Sequence, residues 1–237
     1  MKFPRLAEQI VQGLELSVSP VALAFLDECP ANIPTYGYPV PSSCVFWVRA
    51  EREVFFAPAA AHENCPVGML TMGFPMSPKV VSTLDEFVAK MCAVSYVGAR
   101  EPERIPRISN AKKGILYGPL DLFPVGPDLV LIWANARQAM VIEETVGAVC
   151  WDSDDKAVAF GRPACAALAV AVQKGKSTLS LGCSGMRTFT AVGDEKLLIS
   201  VPGAQIEPLA QRLTGVIQSN NMMLSFYRQH REQFATS

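Results

Sequence analysis

Residues 161–189 read GRPACAALAVAVQKGKSTLSLGCSGMRTF, and the order of apolar and turn residues in this stretch decides the class of fold. AALAVAV (166–172) predicts a helix of about two turns, QKGK (173–176) a polar turn, and STLSLG (177–182) a short strand that ends on a glycine. Cysteines stand at both joints. Cys165 follows Pro163, which suits a helix start, and Cys183 lies between Gly182 and Gly185, which permit a tight strand-to-helix turn.

The same succession occurs upstream. Pro20 opens VALAF (21–25), a buried strand, and a proline-rich loop leads to Cys44. Then come a helix in VFWVRA (45–50), the polar turn ERE (51–53), the apolar run VFFAPA (54–59), Cys65, and the helical stretch VGMLTMGF (67–74). In the second half DLVLIWA (128–134) takes the place of VALAF. Twenty residues separate Cys44 from Cys65, and 17 separate Cys165 from Cys183. The reading is of two pseudo-repeats, about residues 17–100 and 125–220, packed about a local two-fold axis within one domain that covers 1–237.

Around these units, Leu6, Ile10, Val11 and Leu14 predict an amphipathic helix over residues 4–16. STLDEFVAKM (82–91) and AQIEPLAQRLTGVIQ (204–218) read as helices, and NNMMLSFYRQHREQF (220–234) as a closing helix. AVSYVG (93–98), GILYG (114–118) and LLISVP (197–202) are strand candidates. The expected fold class is α/β, with α+β as the alternative: a single large domain around a mixed sheet.

With 237 residues, 50% of them hydrophobic, the chain can bury a substantial core. Twenty-one Lys and Arg against 22 Asp and Glu leave a net charge of −1, with no field to favour nucleic acid or a membrane surface. The N-terminus carries Arg5, Glu8 and Glu15 at helical spacing, unlike a signal peptide, and no run reaches roughly 18 uninterrupted apolar residues. A cytoplasmic protein is expected. Seven cysteines are an odd number and too sparse for a disulfide scaffold, so they read as thiols, some of them ligands.

Four of the seven have distinctive flanks. Ser42 and Ser43 can cap a helix that begins near Cys44, Pro66 makes Cys65 a cap, and Cys165 and Cys183 sit at the joints already described. A helix N-terminus presents free N–H groups and the positive end of the dipole, which lowers a thiol pKa and favours thiolate. Four such thiolates suit a [4Fe-4S] cluster, whose sulfurs accept N–H donation, with Arg162 and Arg187 offsetting its charge. A structural zinc site is the alternative, since four sulfurs serve either. No CxxC pair occurs, so neither a zinc ribbon nor a ferredoxin run is matched, and the fold must assemble the site. Cys29, Cys92 and Cys150 read as small buried hydrophobes.

His62, three residues before Cys65, reads either as a ligand, proton donor or hydrogen-bond partner of a cluster, or as a surface-loop residue without a role. His62 and Arg187 are the candidate catalytic residues should one iron lack a cysteine. The GKST string (175–178) lacks the glycine a phosphate loop needs, because position 170 is valine. Glu143 and Glu144 are adjacent on a helix and do not face each other, so they form no carboxylate dyad.

HENCPVGMLTMGF, GRPACA and LSLGCSGMR, with PVALAF near the start and VPGAQIEPL near the end, resemble the archaeal conserved region (ArCR) family, a domain of unknown function in archaea and bacteria. The resemblance covers most of the chain and maps the family's cysteine pattern onto Cys44, Cys65, Cys165 and Cys183. It implies no activity. The expectation is a cytoplasmic iron-sulfur protein in electron transfer or a cluster-assisted redox reaction, acting with a redox partner protein or a small-molecule substrate. The alternatives are a zinc-stabilised small-molecule binding module and a thiol-based redox enzyme using Cys165 and Cys183. The apolar NNMMLSFY (220–227) also predicts packing on a second subunit as a homodimer.

Overall fold

The computed structural model describes residues 2–109, 112–147 and 159–235. The chain runs α1 (Phe3–Leu14), β1 (Val21–Leu26), α2 (Cys44–Arg49), β2 (Phe55–Pro58), α3 (Pro66–Met72), α4 (Pro78–Ala93), β3 (Gly114–Pro119), β4 (Leu129–Ala134), α5 (Ala136–Val146), β5 (Ala159–Phe160), α6 (Ala166–Lys174), β6 (Thr178–Ser180), α7 (Ser184–Phe189), β7 (Leu197–Pro202) and α8 (Ile206–Ala235).

Local chemistry sets the helix ends. Ser77 Oγ accepts from the Val80 N–H and Pro78 follows it, which starts α4. Asn135 and Gln138 form a reciprocal capping box at α5, and Gly147 ends that helix at φ 81°. Gly175 ends α6 at φ 62°.

The seven strands form one mixed sheet in the order β2-β3-β1-β4-β7-β6-β5. Every pairing is antiparallel except β5 with β6. The chain is therefore a single α/β domain. Alternation along the strands divides its core into two layers. Val21, Leu23, Ile115, Tyr117, Leu129 and Leu131 pack with α2, α3, α6 and α7, whereas Ala22, Ala24, Leu116, Val130 and Ile132 pack with α1, α5 and α8.

Strand order on one side of the central β1–β4 pair is β1-β3-β2, and on the other it is β4-β7-β6, with the two-residue β5 added at the edge. Strands that follow one another in the two halves thus occupy matching places, with the same antiparallel pairings. The helices cross between halves: α2 packs on α7, and α3 on α6.

Two expected elements differ. AVSYVG is not a strand: Ala93 is the last residue of α4, and Ser95 turns the chain at φ 57°. None of residues 93–98 is buried, so no apolar face is available to join the sheet. The helices expected at 204–218 and 220–234 are one, α8. Asn220 does not break it, because its amide donates to the Val216 carbonyl one turn back at 3.1 Å and to Glu144 on α5 at 2.5 Å. Cys150 lies outside the described residues.

Candidate cysteine centre

All four singled-out cysteines begin helices in one layer of the sheet. Cys44 is the first residue of α2, Cys65 caps α3 ahead of Pro66, and Cys165 and Cys183 cap α6 and α7. Cys183 Sγ accepts from the Met186 N–H at 3.5 Å. Gly182, at φ 82°, makes the turn into α7 where an L-residue would be strained. Because α2 packs on α7 and α3 on α6, the cysteine-bearing helices of one half lie against those of the other.

Their electrostatics record this proximity. Burial pushes the Cys44 thiol well above its usual range, and Cys165, Cys65 and Cys183 raise it further against a lowering from the Ser42 hydroxyl. Cys165 is pushed up to about 12, by burial first and then by Cys65, with the Thr71 hydroxyl opposing and Cys183 adding. Helix N-termini therefore do not hold Cys44 and Cys165 as thiolates. Desolvation outweighs the dipole, and these two thiols stay protonated until something replaces the proton. Among the described residues, no three His, Cys, Asp or Glu side chains stand together as a ready-made site for a single ion.

Unpartnered polar groups surround the thiols. Tyr117, fully buried, has its hydroxyl pKa raised well above the usual value by burial and then by Cys44, Cys65 and Cys165. The Trp47 indole approaches the Tyr117 hydroxyl and lowers its pKa against these effects, although neither group completes a hydrogen bond of good geometry. His62 is 0% exposed, ringed by Phe46, Phe74 and Tyr117, with Nδ1 2.9 Å from Ser43 Oγ and Nε2 unpartnered. It is no surface-loop residue, and burial lowers its pKa to about 3, so the ring is neutral near pH 7.

A buried N–H or O–H without an acceptor costs about 1–3 kcal/mol. The Tyr117 hydroxyl, within electrostatic reach of three of the sulfurs, and the Trp47 N–H beside it fit an anionic sulfur-rich group that would accept from them. Gly68 makes room at the same place: a Cβ there would lie 2.5 Å from Ser43 Oγ and 2.8 Å from Cys65 Sγ.

Arg187 is committed to structure. Nη1 donates to the Gly193 carbonyl at 2.9 Å, and Nη2 donates to those of Leu181 and Lys196 at 2.9 and 3.1 Å, which ties the loop after α7 to the end of β6. Cys29 sits apart, against the opposite layer, with the Thr35 hydroxyl donating to its sulfur at 3.4 Å. Cys29 and Cys92 are only partly buried, so neither is a core residue in the full sense expected.

A family model described as uncharacterised ArCR matches residues 9–212, from within α1 to within α8. The chain belongs to the ArCR family. No curated protein and no solved structure matches it. All four helix-starting cysteines of this ArCR domain fall inside the matched span, as do Trp47, Tyr117 and Gly68. Sequence reading passed over those last three. Tyr117 was findable, because it alternates with Ile115 on the strand face that Leu23 shares. Trp47, three residues after Cys44, and Gly68, three after Cys65, lie one helical turn from a cysteine.

Proposed function

We propose that this ArCR protein holds a [4Fe-4S] cluster on Cys44, Cys65, Cys165 and Cys183 and serves electron transfer or a cluster-assisted redox reaction. What supports the reading is that four thiols from four helix starts influence one another electrostatically, beside the buried Tyr117 hydroxyl that three of them also influence. Bound there, a cluster supplies reversible one-electron chemistry. The chain's part is to exclude water with Phe46, Phe55 and Phe74, and to supply the buried Tyr117 hydroxyl and the Trp47 N–H as donors beside the thiols. His62, neutral and fixed by Ser43, adds a polar group without adding charge. Arg162 and Arg187 offset negative charge from the side of α7. A cytoplasmic setting keeps the thiols reduced, and the electron is exchanged with a protein partner or a small-molecule substrate.

Iron, sulfide and zinc analysis of chain purified without oxygen, beside the Cys183→Ser variant, tests this. Roughly four irons and four sulfides per chain with broad visible absorption, diminished in the variant, are expected. Stoichiometric zinc without colour would overturn the reading in favour of a structural zinc module, and metal-free protein with reactive thiols in favour of thiol chemistry.

A further inference from the structure

Beside Cys183 the surface forms a shallow open pocket of about 250 Å³ whose polar side chains belong to Tyr96, Arg162, Cys183, Ser184 and Arg187. That volume corresponds to about eight waters, which sets the scale of an occupant. Among the described residues, the lining contains two guanidinium groups, two hydroxyls and no carboxylate. Glu101 and Asp194 approach the two arginines from outside the lining at 3.5 Å, and both are exposed, so screening leaves these ion pairs weak.

The donors are set before anything binds. Arg162 lies over the Tyr96 ring, 4.4 Å from its centroid, and its Nη2 also donates to the Tyr96 carbonyl. Arg187 is anchored on three carbonyls and contributes fixed positive charge. The hydroxyls of Tyr96 and Ser184 are 3.4 Å apart, a weak mutual bond that either can exchange for a better acceptor. Preorganised donors around a small concavity select an oxyanion.

We infer that this cavity binds the carboxylate or phosphate group of a small metabolite, gripped by Arg162 and the Tyr96 and Ser184 hydroxyls and set against Cys183. The inference rests on the proposed cluster for the fate of the ligand, which lies beside the redox centre; binding itself needs only the cavity.

Calorimetric titration of the full chain, purified without oxygen, with inorganic phosphate and separately with acetate tests the inference, with chloride at equal ionic strength as control. One saturable site per chain for at least one oxyanion is expected, and the preferred probe identifies the ligand group. Binding should weaken at least tenfold in Arg162→Gln and several-fold in Ser184→Ala, the latter too small a change to disturb the fold. No saturable binding beyond chloride, or binding unchanged in both variants, would overturn it. Iron analysis of the same samples separates the two readings. Oxyanion binding by iron-free protein would sink the cluster and leave the cavity standing, whereas iron-loaded protein that binds neither probe would sink the cavity alone.

Discussion

Gly68 works through the atom it lacks. Ser43, which a Cβ at position 68 would strike, is tied to His62 and cannot move aside without breaking that contact. Gly68→Ala is expected to lower the iron content of anaerobically purified protein by more than half and to cost about 1–3 kcal/mol of stability, read from iron per chain and a urea midpoint. Full iron at unchanged stability would show that Cys65 has slack. Glu143 makes a second residue-scale case. It is 3% exposed, one of its oxygens has no partner, and burial raises its pKa to about 7 against a slight lowering by Ser177. A carboxyl whose folded pKa lies above its unfolded value binds more protons when folded, so its contribution to stability is greatest below the unfolded value near 4.5 and is lost as pH rises through about 7. Relative to wild type, Glu143→Gln is expected to gain up to about 3 kcal/mol at pH 8 and little at pH 5, measured by urea unfolding at both values. Equal shifts at the two pH values would contradict it. Single residues of this kind were the least legible feature of the sequence: the four cysteines stood out by their Gly, Pro and Ser flanks, but nothing beside His62 in AAAHENCP announced that its ring would be buried among aromatics.

Elements were legible where one local rule sufficed and obscure where two competed. Short continuous apolar runs marked β1, β3, β4 and β7, and flanking Ser, Pro and Gly placed the starts of the four cysteine-bearing helices within a residue or two, whereas α4 begins four residues before the expected Ser82. AVSYVG carried strand-forming residues, yet its place at the edge of α4 left them no sheet to pair with. α8 shows the converse, since the polar SNN (219–221) looked like a boundary and is instead the middle of a helix. That helix divides physically rather than in sequence: Ile206, Leu209, Ala210 and Leu213 are buried against the domain, whereas Met222, Phe226 and Tyr227 are 74%, 56% and 60% exposed. A helical segment without tertiary support is marginal in water. Amide hydrogen exchange of the dilute chain should therefore be slow through Leu213 and faster by at least tenfold beyond Asn221. Uniform slow exchange along α8 would instead reveal that a second copy or another chain covers the apolar end.

Across the whole molecule, the repeated order of cysteines, helices and strands in the sequence has a counterpart in the sheet, although β3 lies outside the expected first unit of residues 17–100. The strand order places matching strands on either side of the β1–β4 pair and sets all four helix-starting cysteines in one layer. Serine at Cys44, Cys65, Cys165 or Cys183 is therefore expected to cut bound iron several-fold, while serine at Cys29, in the other layer, or at Cys92, partly exposed in α4, leaves iron content within about a tenth of wild type. Loss of iron on changing Cys29 or Cys92 would redraw the ligand set. What no sequence pattern conveyed is the inward environment of these thiols, because desolvation depends on which helices cross overhead, and α2 with α7 and α3 with α6 meet only in three dimensions.

The seam at the middle of the sheet has a further consequence. β1 and β4 share three residue pairs, against six in each ladder that flanks them. Opening this short seam leaves a three-stranded and a four-stranded half and bares two edges whose natural complements also exist on every neighbouring molecule. A ligand clasped by cysteines of both halves would act as a rivet across it, and a stripped, concentrated chain is arranged to trade halves with its neighbours, making interlocked pairs in which each fold is completed by a stranger's second half.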